Sequence, residues 1–61
     1  MMVKTGDEII FFDAGIDKKG VVVGIEQRQD NRYDLLVKDA LGNNRKLVEG
    51  DDVFQVVTVL E

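Results

Sequence analysis

The chain has 61 residues and a formal net charge of −4 at pH 7, with 44% hydrophobic and 33% charged residues. This length allows one domain, 1–61, with a thin core, and the apolar share argues against intrinsic disorder. The absence of Cys and His excludes a disulfide framework and the usual zinc, haem and iron–sulfur sites. Ser is absent as well, so the common nucleophile–base pairs are excluded, and we expect no enzymatic activity, no cofactor and no small-molecule substrate.

The first eight residues carry charges at the positions where a signal peptide has its apolar run. The longest unbroken apolar segment, 9–12, has four residues and is too short to cross a bilayer. We therefore predict a cytoplasmic protein without a membrane partner, and the lack of cysteine is consistent with a reducing compartment.

The first two predicted elements are strands, because short apolar runs alternate with turn residues. The first spans 6–12 and is closed by 13–15 (D-A-G). The second spans 19–27 and contains Gly24 within a Val-rich run. A glycine inside such a run indicates a bulge or a sharp bend.

Three further strands follow the polar stretch after the second one. The third spans 33–39, and the Gly and Asn residues of 39–44 predict a hairpin to the fourth strand, 44–49. The segment 50–53 predicts a tight turn, for which one turn of 3₁₀ helix is an alternative form, before a fifth strand at 53–60. No apolar stripe of helical period is present, so no helix longer than about one turn is expected.

Five short antiparallel strands, one of them bent, predict an all-β fold in the form of a small closed or nearly closed barrel. An open meander would leave long apolar edges exposed to aggregation. The apolar positions that point to one face predict the core, which consists of Ile9, Phe11, Val22, Ile25, Leu35, Val37, Leu47 and Val56.

Three segments resemble the SH3-like small barrels, in particular their KOW and Tudor-type branches. Residues 6–9 (G-D-E-I) resemble the opening of the first strand, and 19–25 (K-G-V-V-V-G-I) resemble the central KOW segment. Residues 33–43 resemble the following hairpin, and 51–53 (D-D-V) resemble the turn into the last strand. The resemblance covers almost the whole chain and implies a five-stranded SH3-like barrel.

What the resemblance implies about function is broader. KOW relatives bind RNA or ribosomal and transcription proteins, Tudor relatives bind methylated side chains, and many stand-alone bacterial or phage versions have no assigned role. The chain is acidic, unlike ribosomal KOW proteins, and it has only three Phe and one Tyr. Most of these aromatics are needed for the core, so an aromatic cage for methylated side chains is not expected.

The carboxylates are interpreted as solvated surface charge. Neighbouring pairs occur at 7–8 and 51–52, and Asp13 and Asp17 flank a glycine-bearing loop. A hard cation needs about six converging oxygens, and the spacing of an EF-hand loop is absent. We therefore predict no metal site.

A local basic end is the first candidate binding site. The meander brings the start of strand two, the end of strand three and the start of strand four to one end of the sheet. The cations collected there are Lys18, Lys19, Lys38, Arg45 and Lys46. With Asp17 and Asp39 the end has a net charge of +3, against −7 for the other three cations and ten carboxylates. It is consistent with contact to nucleic-acid phosphates or with charge spread for solubility.

An apolar surplus outside the core is the second candidate, formed by Ile10, Phe12 and Phe54. Strands that are apolar on both faces are buried on both faces or have a partner. Alternatively, the strong coiling of a small barrel would bury the apolar residues of both faces without a partner. The hypothesis favoured here is a non-enzymatic protein-interaction module, self-associating or bound to another protein, and the alternative is a KOW-like barrel that binds RNA or DNA.

Overall fold

Five antiparallel strands make up the chain in a computed structural model, which describes residues 3–57. The strands are β1 (Glu8–Asp13), β2 (Ile16–Gln27), β3 (Tyr33–Asp39), β4 (Asn44–Val48) and β5 (Phe54–Val56). They form one sheet in the order β4-β3-β2-β1-β5, and the described residues contain no helix. The predicted all-β class is confirmed.

A two-residue turn joins β1 to β2. Ala14 and Gly15 have φ angles of 52° and 84°, and Asp13 lies opposite Ile16 in the register. Two successive positive φ angles are typical of a type I′ turn, whose twist matches that of the flanking strands. The tightness of this turn explains why β2 begins at Ile16, three residues before the predicted start at 19.

The predicted irregularity near Gly24 is present as a β-bulge. The register between β2 and β3 shifts between Val22 and Gly24, which leaves Val23 as the extra residue. A bulge bends its strand and increases the local twist. The 12-residue β2 can therefore pair with β1 over its first half and with β3 over its second.

The sheet is compatible with a small barrel, but it is not closed within the described residues. β4 and β5 form its two edges and do not pair with each other. The prediction that the sheet would close to avoid open edges did not take into account that each edge limits pairing in another way. β4 carries Arg45 and Lys46, which are residues that discourage edge pairing, and the described part of β5 has only three residues.

One hydrophobic core lies on the inner face of the sheet. Its buried members are Ile9, Phe11, Val22, Leu35, Val37 and Leu47. All six were predicted, because period-2 alternation places them on the same face. The other two predicted members, Ile25 and Val56, are partly buried and pack against this core together with Val3 and Phe54.

The segment between β4 and β5 forms the predicted tight turn, and it is a hydrogen-bonded turn and not a turn of 3₁₀ helix. The amides of Asp51 and Asp52 both donate to the carbonyl of Val48, at 3.1 and 3.0 Å. The Asp52 carboxylate accepts in return from the Val48 amide at 2.7 Å. This exchange ends the strand at Val48, and the part of the predicted fifth strand at 58–60 lies outside the described residues.

Candidate functional site

The cations of the predicted basic end lie on both faces of the sheet. Lys18 is the cross-strand partner of the buried Phe11, and Arg45 is the partner of the buried Val37. Cross-strand partners point to the same face, so these two cations lie at the rim of the core face. The remaining predicted cations, Lys19, Lys38 and Lys46, alternate with core-facing positions and lie on the opposite face, called here the outer face.

Asp13 holds the two core-face cations. Its carboxylate accepts a hydrogen bond from Lys18 at 2.9 Å and a second one from Arg45. The hydrogen bond from Lys18 lowers the pKa of Asp13 below its usual value, and the nearby charge of Arg45 lowers it further. Desolvation of the carboxylate opposes this shift but is outweighed. Asp13 was predicted to be solvated surface charge, and the only signal of this role in the sequence is its position at the end of a strand before a tight turn.

Two of the outer-face cations also have acidic neighbours. Lys19 lies 3.6 Å from a carboxylate oxygen of Glu8, and Lys46 lies 3.9 Å from Asp34. Within residues 3–57, Lys38 forms no ion pair and lines a shallow groove with Lys19 and with the acidic residues Glu8 and Asp39. The basic end is therefore largely neutralised, which the net charge of +3 counted from the sequence did not reveal.

A second cluster of charges lies at the opposite end of the sheet, in the β2–β3 connection. Arg28 donates to Asp34 at 2.9 Å, and this hydrogen bond raises the pKa of the Arg28 guanidinium above its usual value. Arg32 donates to Asp30 at 3.0 Å and reaches Asp51 at 3.1 Å. The cluster ties the β2–β3 connection to the β4–β5 turn, which is a structural role.

The outer face of β1 carries the apolar surplus. Ile10 is half-buried, whereas 52% of Phe12 is exposed. Val53, which enters β5 beside Phe12, is 72% exposed and was absent from the predicted surface. These residues line one shallow groove together with Asp17, Phe54 and Gln55.

Phe54 stands apart from the other two predicted interface residues. It is the cross-strand partner of Phe11 and packs partly against the core. The structure therefore places Ile10 and Phe12 on one face and Phe54 on the other, at the border of the same groove. We call Ile10, Phe12 and Val53 the β1–β5 surface.

The described residues contain neither a cluster of metal-binding side chains nor a membrane-spanning helix. No group of three or more acidic side chains in 3–57 is arranged to hold a metal ion. No helix in that part of the chain could cross a bilayer. The chain matches no protein-family model, and no curated protein or solved structure is significantly similar to it.

Proposed function

We propose that this chain is a non-enzymatic protein-interaction module that binds its partner, another protein or a second copy, through the β1–β5 surface. We further propose that it is a cytoplasmic member of the SH3-like barrels of the KOW or Tudor-like type. The strand order β4-β3-β2-β1-β5 and a long second strand bent at a bulge support the fold part of this proposal.

The observation that carries the proposal is the exposure of adjacent large apolar side chains beside an uncharged strand. Phe12 is 52% and Val53 is 72% exposed, and Ile10 continues the apolar row along β1. Interfaces concentrate their binding energy in a few apolar or aromatic anchors that become desolvated. An exposed phenylalanine at the centre of such a row is suited to be that anchor.

The test replaces the anchor and compares it with a residue of equal exposure. Phe12→Asp introduces a charge into the β1–β5 surface, and Val23→Asp does the same at another outer-face position that is also 52% exposed. Loss of a buried aromatic anchor typically costs about 2 kcal/mol or more, or roughly a 30-fold loss of affinity.

We expect Phe12→Asp to impair self-association, measured as light-scattering mass across a hundredfold dilution, or capture of partners from the native host's extract. Val23→Asp should leave both unaffected. Apolar contacts depend little on salt, so the interaction should persist at high ionic strength. Equal binding by both variants and the parent would overturn the proposal.

A second candidate function is binding of nucleic acid on the outer face. Lys38, which forms no ion pair in the described part of the chain, lines one groove with Lys19, Glu8 and Asp39, and the two lysines are the groups that would contact phosphate. The test is a gel shift with mixed RNA and DNA at low salt. Lys19→Glu combined with Lys38→Glu should abolish any shift, and this pair leaves the Asp13 contacts of Lys18 and Arg45 intact. A strictly monomeric protein with a salt-dependent shift would favour this candidate over the protein interface.

A further inference from the structure

One side of β5 has no partner strand within residues 3–57. The carbonyl of Val53 accepts from the Phe12 amide at 3.0 Å, and the Val57 amide donates to the Glu8 carbonyl at 2.8 Å. Backbone groups alternate between the two sides of a strand, so those of Val53, Gln55 and Val57 face β1. The N–H and C=O groups of Phe54 and Val56 therefore point to the open side.

The other edge of the sheet is protected, and this contrast is informative. On β4, both backbone groups of Val48 are engaged by the turn that follows, and Arg45 and Lys46 place charges along the strand. Such features prevent pairing with another chain. The segment 53–57 (V-F-Q-V-V) has no charged residue, although 33% of the chain is charged.

We propose that β5 pairs antiparallel with β5 of a second copy, with Gln55 opposite Gln55, to make one sheet that continues through both molecules. This inference rests on the proposed function and specifies its partner. In this register Phe54 lies opposite Val56 of the second copy, and the two residues exchange backbone N–H···O=C bonds. A two-fold axis through Gln55 makes the contact self-complementary and closed.

The chemistry of the strand favours a second copy as the occupant. The side-chain amide of Gln55 is both donor and acceptor, so two of them across the axis can hydrogen-bond, whereas two identical charges would repel. On the outer face, Val57 of the second copy falls in the same row as Val53 and Phe12. The exposed apolar pair would then be covered by an apolar side chain, without a charged group in the contact.

The experiment introduces charges of either sign beside the proposed two-fold axis. Gln55 is exposed, so Gln55→Lys and Gln55→Glu should leave the fold of each copy intact, as checked by the thermal unfolding midpoint. Sedimentation equilibrium should show a parent dimer, at least a tenfold weaker dimer for either variant alone, and recovery of dimer in an equimolar mixture of the two. Gln29→Lys and Gln29→Glu, on an exposed residue of the β2–β3 connection, are the matched controls and should behave like the parent.

The outcomes separate this inference from the function on which it rests. If Gln55→Lys and Gln55→Glu dimerise as well as the parent, whereas Phe12→Asp loses the dimer, β5 pairing is overturned. The β1–β5 surface would then remain the interface. A parent that stays monomeric at every concentration would also overturn β5 pairing. Capture of another protein that Phe12→Asp abolishes would then still support the proposed function.

Discussion

The carboxylate of Asp13 contacts the guanidinium of Arg45, which lies 32 residues further along the chain. Asp13 ends β1 and Arg45 lies in β4, so the contact joins strands that do not pair with each other. Lys18 binds the same carboxylate oxygen from β2. The triad therefore spans the mouth of the curled sheet on its core face and links β1 and β2 to β4, whose backbone pairs with β3 alone.

Asp13 should make the free energy of unfolding depend on pH in the acidic range. Its pKa is lowered from 3.8 in the folded protein, so its contribution is fully present above the ordinary value and is lost as pH falls through the lowered one. We expect Asp13→Asn to reduce the unfolding midpoint at pH 7, and the difference from the parent to shrink as pH falls through the ordinary value of 3.8 and then below it. Asp17→Asn, whose carboxylate forms no ion pair within 3–57, is the control and should not reproduce this pattern in thermal melts.

Leu35 should be indispensable to the core. It is fully buried, and truncation of such a leucine typically costs about 2–5 kcal/mol, comparable to the whole stability of a domain of this size. Leu35→Ala should be largely unfolded at room temperature by circular dichroism. Leu41→Ala, at a position 86% exposed, should melt like the parent, and a cooperative melt of Leu35→Ala near the parent midpoint would remove Leu35 from the core.

The β1–β2 turn offers a stabilising substitution. Ala14 has a φ of 52°, and this left-handed conformation costs an alanine roughly 1–2 kcal/mol. Asparagine tolerates it and is preferred at the first position of a type I′ turn. Ala14→Asn should raise the free energy of unfolding by about 1 kcal/mol in urea titrations. Ala40→Asn, in a turn where φ is not positive, should bring no such gain.

Substitution by alanine should destabilise the fold more at Gly20 than at Gly24. A Cβ at Gly20 would lie 2.5 Å from Val37 Cγ1 and 2.9 Å from the Lys38 carbonyl oxygen, whereas at Gly24 the nearest atom is Leu36 Cδ1 at 3.2 Å. A backbone oxygen cannot move aside as a leucine methyl can, so Gly20→Ala should destabilise by about 1–3 kcal/mol. Gly24→Ala should cost clearly less, and equal losses in parallel melts would contradict the packing described here.

Much of the fold follows from local pattern. Alternation along 33–39 and the apolar run at 9–12 place the core residues on one face, and turn residues predict where strands end. Burial of Ile25 and Val56 was overestimated, because one follows the bulge and the other lies on an edge strand. Pattern identified Gly24 as the notable glycine, whereas the close approach at Gly20 depends on which strands become neighbours.

The candidate sites were harder to predict, because they depend on register. A shift of one residue moves a side chain to the other face, and the sequence does not reveal how β1 aligns with β5. Phe54 was grouped with Ile10 and Phe12, although alternation along its own strand places it on the face of Val56 and its partner is the buried Phe11. Grouping the cations by the end of the sheet merged two faces into one basic end, and the contact of Asp13 with Arg45 depends on strands that do not pair.

The most direct test of the central claim maps, residue by residue, which surface responds. Backbone amide spectra of the parent should be recorded across a hundredfold concentration range and then with added mixed RNA and DNA at low salt. If the β1–β5 surface is the working surface, concentration-dependent shifts should concentrate at 10–12 and 53–57, and nucleic acid should leave the spectra unchanged. Shifts confined to the predicted basic end on addition of nucleic acid, with none at 10–12 or 53–57 at any concentration, would contradict the account.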